Sequence, residues 1–228
     1  MVLKTTGQFT LLFLRKYKLA CCFLSELALY IKPLLLYSRC SQKISNHIRK
    51  EVLTMNSNLK KIVMTALFAA LACVATMSIR IPTPGTGGYI HPGDAIVILA
   101  GIILGPVYGL LAGGIGSALS DLLGGYFVYV PITFVIKGLI ALLSGLVYQK
   151  VAKDSKSRYI AVLLGGVIDI VLVAGGYFIC EYFIYGSSAA ASIPANIIQG
   201  VGGLIISFVL YPVLMAIPDV KQLTYENK

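Results

Sequence analysis

Residues 94–123 read DAIVILAGIILGPVYGLLAGGIGSALSDLL, and Asp94 and Asp121 are the only charged residues among them. Gly105-Pro106 interrupts the run. Proline lacks an N–H and disfavours helix at the residue before it, so one straight helix cannot pass through this point. The segment is one kinked helix or a hairpin of two, and this choice sets the number of membrane crossings. Beyond the break, Gly109, Gly113, Ser117 and Asp121 recur every four residues. That spacing lines them along one helix face, where small residues let a neighbouring helix approach closely.

The surrounding chain has the same character. Hydrophobic residues make up 57% and charged residues 12% of the sequence, against about 25% charged in a soluble domain. A chain this apolar belongs in lipid. Glycine is frequent, at 23 residues, and tryptophan is absent. Apolar runs at 59–79, 131–148, 159–182 and 193–217 match the length needed to cross about 30 Å of hydrocarbon. Between the first run and Asp94 lies a loop rich in Pro and Gly, residues 80–93.

Basic residues fix the orientation. Lys60 and Lys61 precede the first run, Lys150, Lys153, Lys156 and Arg158 form a second cluster, and Lys221 and Lys228 lie at the end. Cytoplasmic loops carry the excess of Lys and Arg. Six crossings put all three clusters inside, whereas five force the middle one out. The expected fold is therefore all-α, a polytopic membrane protein with six transmembrane helices and both ends of the body inside. The second helix, ending near Leu104, is then short, which is tolerable only where protein covers its backbone.

Residues 1–54 differ. They hold nine Lys/Arg and two acids, most of the net charge of +10, and three of the five cysteines. No stretch there is long and clean enough to span, and no small-residue cleavage site follows an apolar core. Codons for Arg49-Lys50-Glu51-Val52 can spell a purine-rich ribosome-binding sequence just before the Met55 codon. The expectation is a start at Met55, a membrane body over 55–220 and a cytoplasmic tail over 221–228; an amphipathic leader is the competing reading of 1–54.

Ionisable groups at membrane depth cost several kcal/mol and mark functional sites by default. Five stand out: Asp94, Asp121, Lys137, Asp169 and Glu181. Asn196 and Gln199 join them, one turn apart on one helix face. In the six-span orientation these groups gather in the outer half, beneath the loop bearing Tyr89 and His91, with Asp169 as an exception near the midplane. Lys137, Asn196 and Gln199 are the leading ligand contacts, with Asp121, Glu181 and Tyr89 beside them. Blander roles compete: Asp94 as a helix cap, Glu181 in the headgroup region, Lys137 snorkelling outward, and the amides joining helices.

The sequence carries no phosphate-binding loop, no H-E-x-x-H and no nucleophile–base set. It gives no sign of an enzyme, a cofactor or a metal site, and no basic, aromatic-interleaved face for nucleic acid. Cys73 and Cys180 are isolated and read as small hydrophobes. Any ATPase that powers transport is another chain.

The stretch IPTPGTGGYIHPGDAIVILAGIILGPVYGLLAGGIGSALSDLLGGYFVYVPITFVIKGLIALLSGLVY, residues 81–148, and IPANIIQGVGG, residues 193–203, resemble the substrate-binding S components of energy-coupling factor (ECF) vitamin transporters, in the group that includes riboflavin transporters. The likeness runs over about 59–217. It implies six helices in the bacterial cell membrane, an outer vitamin pocket gated by the first loop, and assembly with a transmembrane coupling subunit and two ATPases. The family's Ala-x-x-x-Ala docking pattern falls on Ala66 and Ala70, or one register on at Ala69 and Cys73, and the first fits better. The resemblance leaves riboflavin, pyridoxine-type compounds and hydroxymethylpyrimidine open as ligands. A stand-alone proton- or ion-coupled carrier using Asp121, Asp169 and Glu181 is the alternative function.

Overall fold

The computed structural model describes residues 57–83, 85 and 88–226; the expectation for residues 1–54 lies outside them. Helix α1 (Ser57–Ser78) leads into a short hairpin of β1 (Ile81–Pro82) and β2 (Tyr89–Ile90). Then follow α2 (Asp94–Leu104), α3 (Pro106–Gly124), α4 (Tyr129–Val151) and α5 (Ser155–Val171). A π-helical turn (Leu172–Gly176) joins α5 to α6 (Tyr177–Tyr185), and a 3-10 segment (Gly186–Ser192) turns the chain into α7 (Ile193–Met215) and α8 (Pro218–Glu226).

Among the described residues four stretches are long and apolar enough to cross a membrane, the last running from Ser155 to Met215 over 61 residues. That stretch folds back on itself: a Cβ on Gly166 would touch Leu204, and one on Gly200 would touch Ile170. It therefore holds two antiparallel crossings, α5–α6 and α7. With the short α2 the described residues form six membrane helices. The expected hairpin is present, with α2 ending at Leu104 and α3 starting at Pro106. Gly105, at φ +83°, makes the turn in a backbone conformation that side chains rarely adopt.

The polypeptide wraps around α2. Ile98, Leu99, Ile103 and Leu104 are all at most 1% exposed, so the short helix meets protein rather than lipid. The small-residue ridge allows this. Cβ atoms at Gly101 and Gly109 would collide with Ala141 and Gly101 backbone atoms at 2.0 and 2.5 Å. Outward-facing Leu, Ile, Val and Phe side chains on α1, α4, α5 and α7 supply the lipid-facing belt. At the cytoplasmic end Pro218–Glu226 form α8, which packs against α2 and α7. There Lys60 Nζ lies 3.0 Å from Asp219 Oδ1, and Arg158 and Lys221 line one cleft.

Helix lengths set the depth of the site. At 1.5 Å per residue α2 rises about 16 Å from the shared turn and α3 about 28 Å. Asp94 thus starts its helix about 12 Å below the outer end of α3, and the 81–93 loop dips to meet it.

Candidate functional site

The β1–β2 hairpin pairs Ile81 with Ile90 and Pro82 with Tyr89. It forms a cover held at two points. On one side the Tyr89 hydroxyl donates to Asp121 Oδ1 at 2.6 Å. The Tyr89 ring lies 4.6 Å from that of Tyr126, and the Arg80 guanidinium sits 4.8 Å from its centroid, an attractive cation–ring arrangement. Arg80 also donates to the Ser120 carbonyl at 3.0 Å. On the other side the His91 N–H donates to Gln199 Oε1 at 3.1 Å.

Beneath the cover is a small polar-lined cavity with a free volume of about 20 Å3. Thr83, Gly88, Tyr89 and His91 roof it, Asp121 (α3), Tyr129 and Thr133 (α4) form one wall, and Tyr177 and Glu181 (α6) with Asn196 and Gln199 (α7) form the other. Tyr129 and Ser192 hydroxyls donate to Glu181 at 3.0 and 2.5 Å. Thr133 and Tyr177 share a hydrogen bond of 2.9 Å. Asn196 Nδ2 is buried with no hydrogen-bond partner among the described residues. Burial lowers the His91 pKa to about 4, so its imidazole is neutral at pH 7, with Nδ1 accepting from the Gly93 N–H at 3.1 Å. Burial, reinforced by the Asp121 carboxylate, raises the pKa of Tyr89, which keeps its hydroxyl a donor.

The floor is a buried polar cluster. Lys137 Nζ pairs with Asp94 Oδ1, and Gln199 Nε2 donates to Asp94 Oδ2 at 2.8 Å. Gln199 thereby ties the cover to the floor. Asp169 adjoins the cluster: the space a Cβ on Gly203 would occupy is bordered by Asp94 Cβ at 2.8 Å and Asp169 Oδ2 at 3.0 Å. Both Asp169 oxygens are buried and lack a hydrogen-bond partner among the described residues.

Five of the six residues expected at the site line the cavity: Asp121, Glu181, Asn196, Gln199 and Tyr89. Lys137 does not. It lies below, fully buried, with its ammonium spent on Asp94 and 5.5 Å from the Tyr177 ring centroid. Asp94 does not cap its helix with its side chain; it holds Lys137 and Gln199 instead. Glu181 is 2% exposed rather than free in the headgroup region. Tyr129, Thr133 and Tyr177 escaped the sequence reading. Tyr129 and Thr133 repeat at four-residue spacing with Lys137, so they share its face of α4, and that pattern was the available signal.

The residues expected to dock a partner lie elsewhere. Ala66 and Ala70 are exposed on α1 and line an apolar groove between α1 and α3, with Tyr108, Leu111 and Ile115. Ala69 is half-buried and turns its backbone to Gly116, where a Cβ would meet its carbonyl oxygen at 2.3 Å. Ala69 also lines the groove, and Ala66 and Ala70 are the more exposed of the three.

The described residues thus form a multi-helix membrane body with a polar cavity roofed by a loop. A family model described as "ECF-type riboflavin transporter, S component" matches residues 56–216, and the chain belongs to that family. Thiamine precursor transporter HmpT of Lactococcus lactis is 29% identical over 161 residues, 70% of this chain and 90% of that protein. An uncharacterized Pyrococcus woesei protein is 37% identical over 134 residues, 58% of this chain and 86% of that one. The fold matches the solved S component of a bacterial ECF transporter with a TM-score of 0.52 at 23% identity, covering 70% of this chain and 98% of that one. The protein is a vitamin-binding transporter subunit, multi-pass in the bacterial plasma membrane.

Proposed function

We propose that this subunit captures a small vitamin or vitamin precursor from outside, beneath the 81–93 loop, and releases it inward within an ATP-driven complex. Its partners are a transmembrane coupling subunit, which seats on the Ala66–Ala70 groove, and two ATPases. The observation that carries this reading is the roofed cavity, where Tyr129 and Tyr177 stand among the polar groups of Asp121, Glu181, Asn196 and Gln199. Such a mixture of aromatic walls and a few convergent polar groups suits a heteroaromatic ring. Hydroxymethylpyrimidine, pyridoxine-type compounds and riboflavin are the candidates. The relative HmpT carries "thiamine precursor" in its name, which favours the first.

The test is mass spectrometry of the small molecule that co-purifies with the protein, followed by calorimetric titration with the three candidates. Nanomolar to micromolar binding of one of them, with uptake that requires the ATPases, supports the proposal. Uptake by this chain alone, abolished by an uncoupler and indifferent to the ATPases, overturns it in favour of an ion-coupled carrier.

A further inference from the structure

From the cleft at the cytoplasmic end we infer that the protein carries a seat for an anionic phospholipid of the inner leaflet, with the lipid phosphate held between Arg158 of α5 and Lys221 of α8.

The cleft has a free volume of about 300 Å3, room for a head group and not only for a lone ion. Three elements build it. Ser155, Arg158 and Tyr159 stand at the start of α5, Tyr211 and Met215 near the end of α7, and Lys221 on α8. The two cations therefore approach from different helices, and the packing of α8 against α2 and α7 brings the second one into place. No Asp or Glu stands among the described lining residues. Asp219, in the first turn of α8, is paired with Lys60 of α1 instead. The turn between α4 and α5 adds positive potential, since Lys150, Lys153, Lys156 and Arg158 face only one acid, Asp154, over residues 150–158.

The recognition chemistry follows from these groups. A guanidinium presents a planar fork of donors that fits phosphate oxygens, and an ammonium adds a second charge. Ser155 and Tyr159 bring hydroxyls into the same lining, and each can donate to a phosphate oxygen.

The surroundings choose a lipid over a soluble anion. The Tyr159 and Tyr211 rings meet edge-on with centroids 5.5 Å apart, and the Tyr211 and Tyr148 hydroxyls share a hydrogen bond of 2.8 Å. Tyrosines of this kind sit at head-group level. One turn deeper the surface is apolar and open, with Leu163 on α5 41% and Phe208 on α7 37% exposed. A basic cleft between helices on the cytoplasmic side that opens onto such a surface complements an amphiphile with an anionic head. A free phosphate or an acidic peptide would use the cations and leave the apolar margin uncovered.

The experiment is native mass spectrometry of the purified full chain after incubation with phosphatidylglycerol and phosphatidylcholine of identical acyl chains at equal concentration. Retained phosphatidylglycerol should exceed phosphatidylcholine at least about 10-fold. Arg158→Gln with Lys221→Gln should reduce that preference to under about 2-fold, whereas Lys156→Gln, which removes a charge from the same turn outside the described lining, should change it by less than about 2-fold. Monodispersity and helicity establish that the double variant is folded. If it is not, Lys221→Gln alone, whose side chain is exposed, should lower the preference at least about 3-fold. A wild type without preference, a preference unmoved by these substitutions, or one that Lys156→Gln lowers as much overturns the inference. Displacement of the bound lipid by millimolar inorganic phosphate overturns it as well, because the cleft is then a site for a soluble anion.

Discussion

Asp94 and Lys137 form an ion pair that solvent does not reach, with neither side chain exposed. The pair joins the start of α2 to the middle of α4 under the cavity floor. Removing one partner of a buried pair strands the other charge and costs about 3–5 kcal/mol, whereas replacing both is often near neutral. Lys137→Met alone should therefore destabilise the protein by about 3–5 kcal/mol, and Lys137→Met with Asp94→Asn should recover most of the loss. Denaturant unfolding of the detergent-solubilised variants measures both. Equal stability of the single and double variants would show that the pair does not hold the helices.

Gln199 and Asn196 share a face of α7 but do different work. Gln199 accepts from the cover through His91 N–H and donates to the floor through Asp94. Asn196 Nδ2 has no described protein partner. Asn196→Ala should weaken ligand binding by about 10- to 100-fold with little effect on stability. Gln199→Ala should weaken binding through faster dissociation, because the cover loses one of its two ties, and should also lower stability. Stopped-flow dissociation and unfolding titrations separate the two; identical behaviour would refute the division of roles.

The four long apolar runs and the Gly105-Pro106 turn were legible because periodicity, length and backbone chemistry are local properties. The depth of Asp94 was not. Counting from loop ends puts Asp94 near the outer surface and Asp169 alone at the midplane, yet the two border the same space at Gly203. The difference arises because α2 is 11 residues long and α3 is 19, so their outer ends lie at different heights. For the same reason Lys137 meets Asp94 instead of the cavity. The hairpin was invisible because two residues per strand leave no alternation to detect.

His91 should make the cover sensitive to acid. With the loop closed its pKa is about 4, against an ordinary value of 6.5. The open loop therefore takes a proton more readily, and closure is favoured fully above about 6.5 and lost progressively as the pH falls toward 4. Protonation also removes the Nδ1 acceptor of the Gly93 N–H. Since His91 is half-buried, the loss should be about 1–3 kcal/mol. Hydrogen exchange at the hairpin amides, corrected for intrinsic rate, should accelerate over this interval in the wild type and change less in His91→Gln. Superimposable profiles would exclude His91 as the titrating group.

The apolar groove of α1 and α3 gives the last prediction. Ala66 and Ala70 face it one turn apart, with Ala69 between them bringing its backbone against Gly116. Small residues at this spacing admit a second helix to close backbone contact, the main source of helix association where lipid is as apolar as the side chains. The groove and the cavity share no lining residue. A leucine at position 66 or 70 fills the groove without touching the ligand site, so uptake in cells that contain the coupling subunit and ATPases should fall at least about tenfold while calorimetric affinity stays within about twofold. By contrast, Gly116→Leu should disturb the protein itself, because a side chain there meets the Ala69 backbone of α1. Normal uptake by both Ala66→Leu and Ala70→Leu would place the coupling subunit on another face.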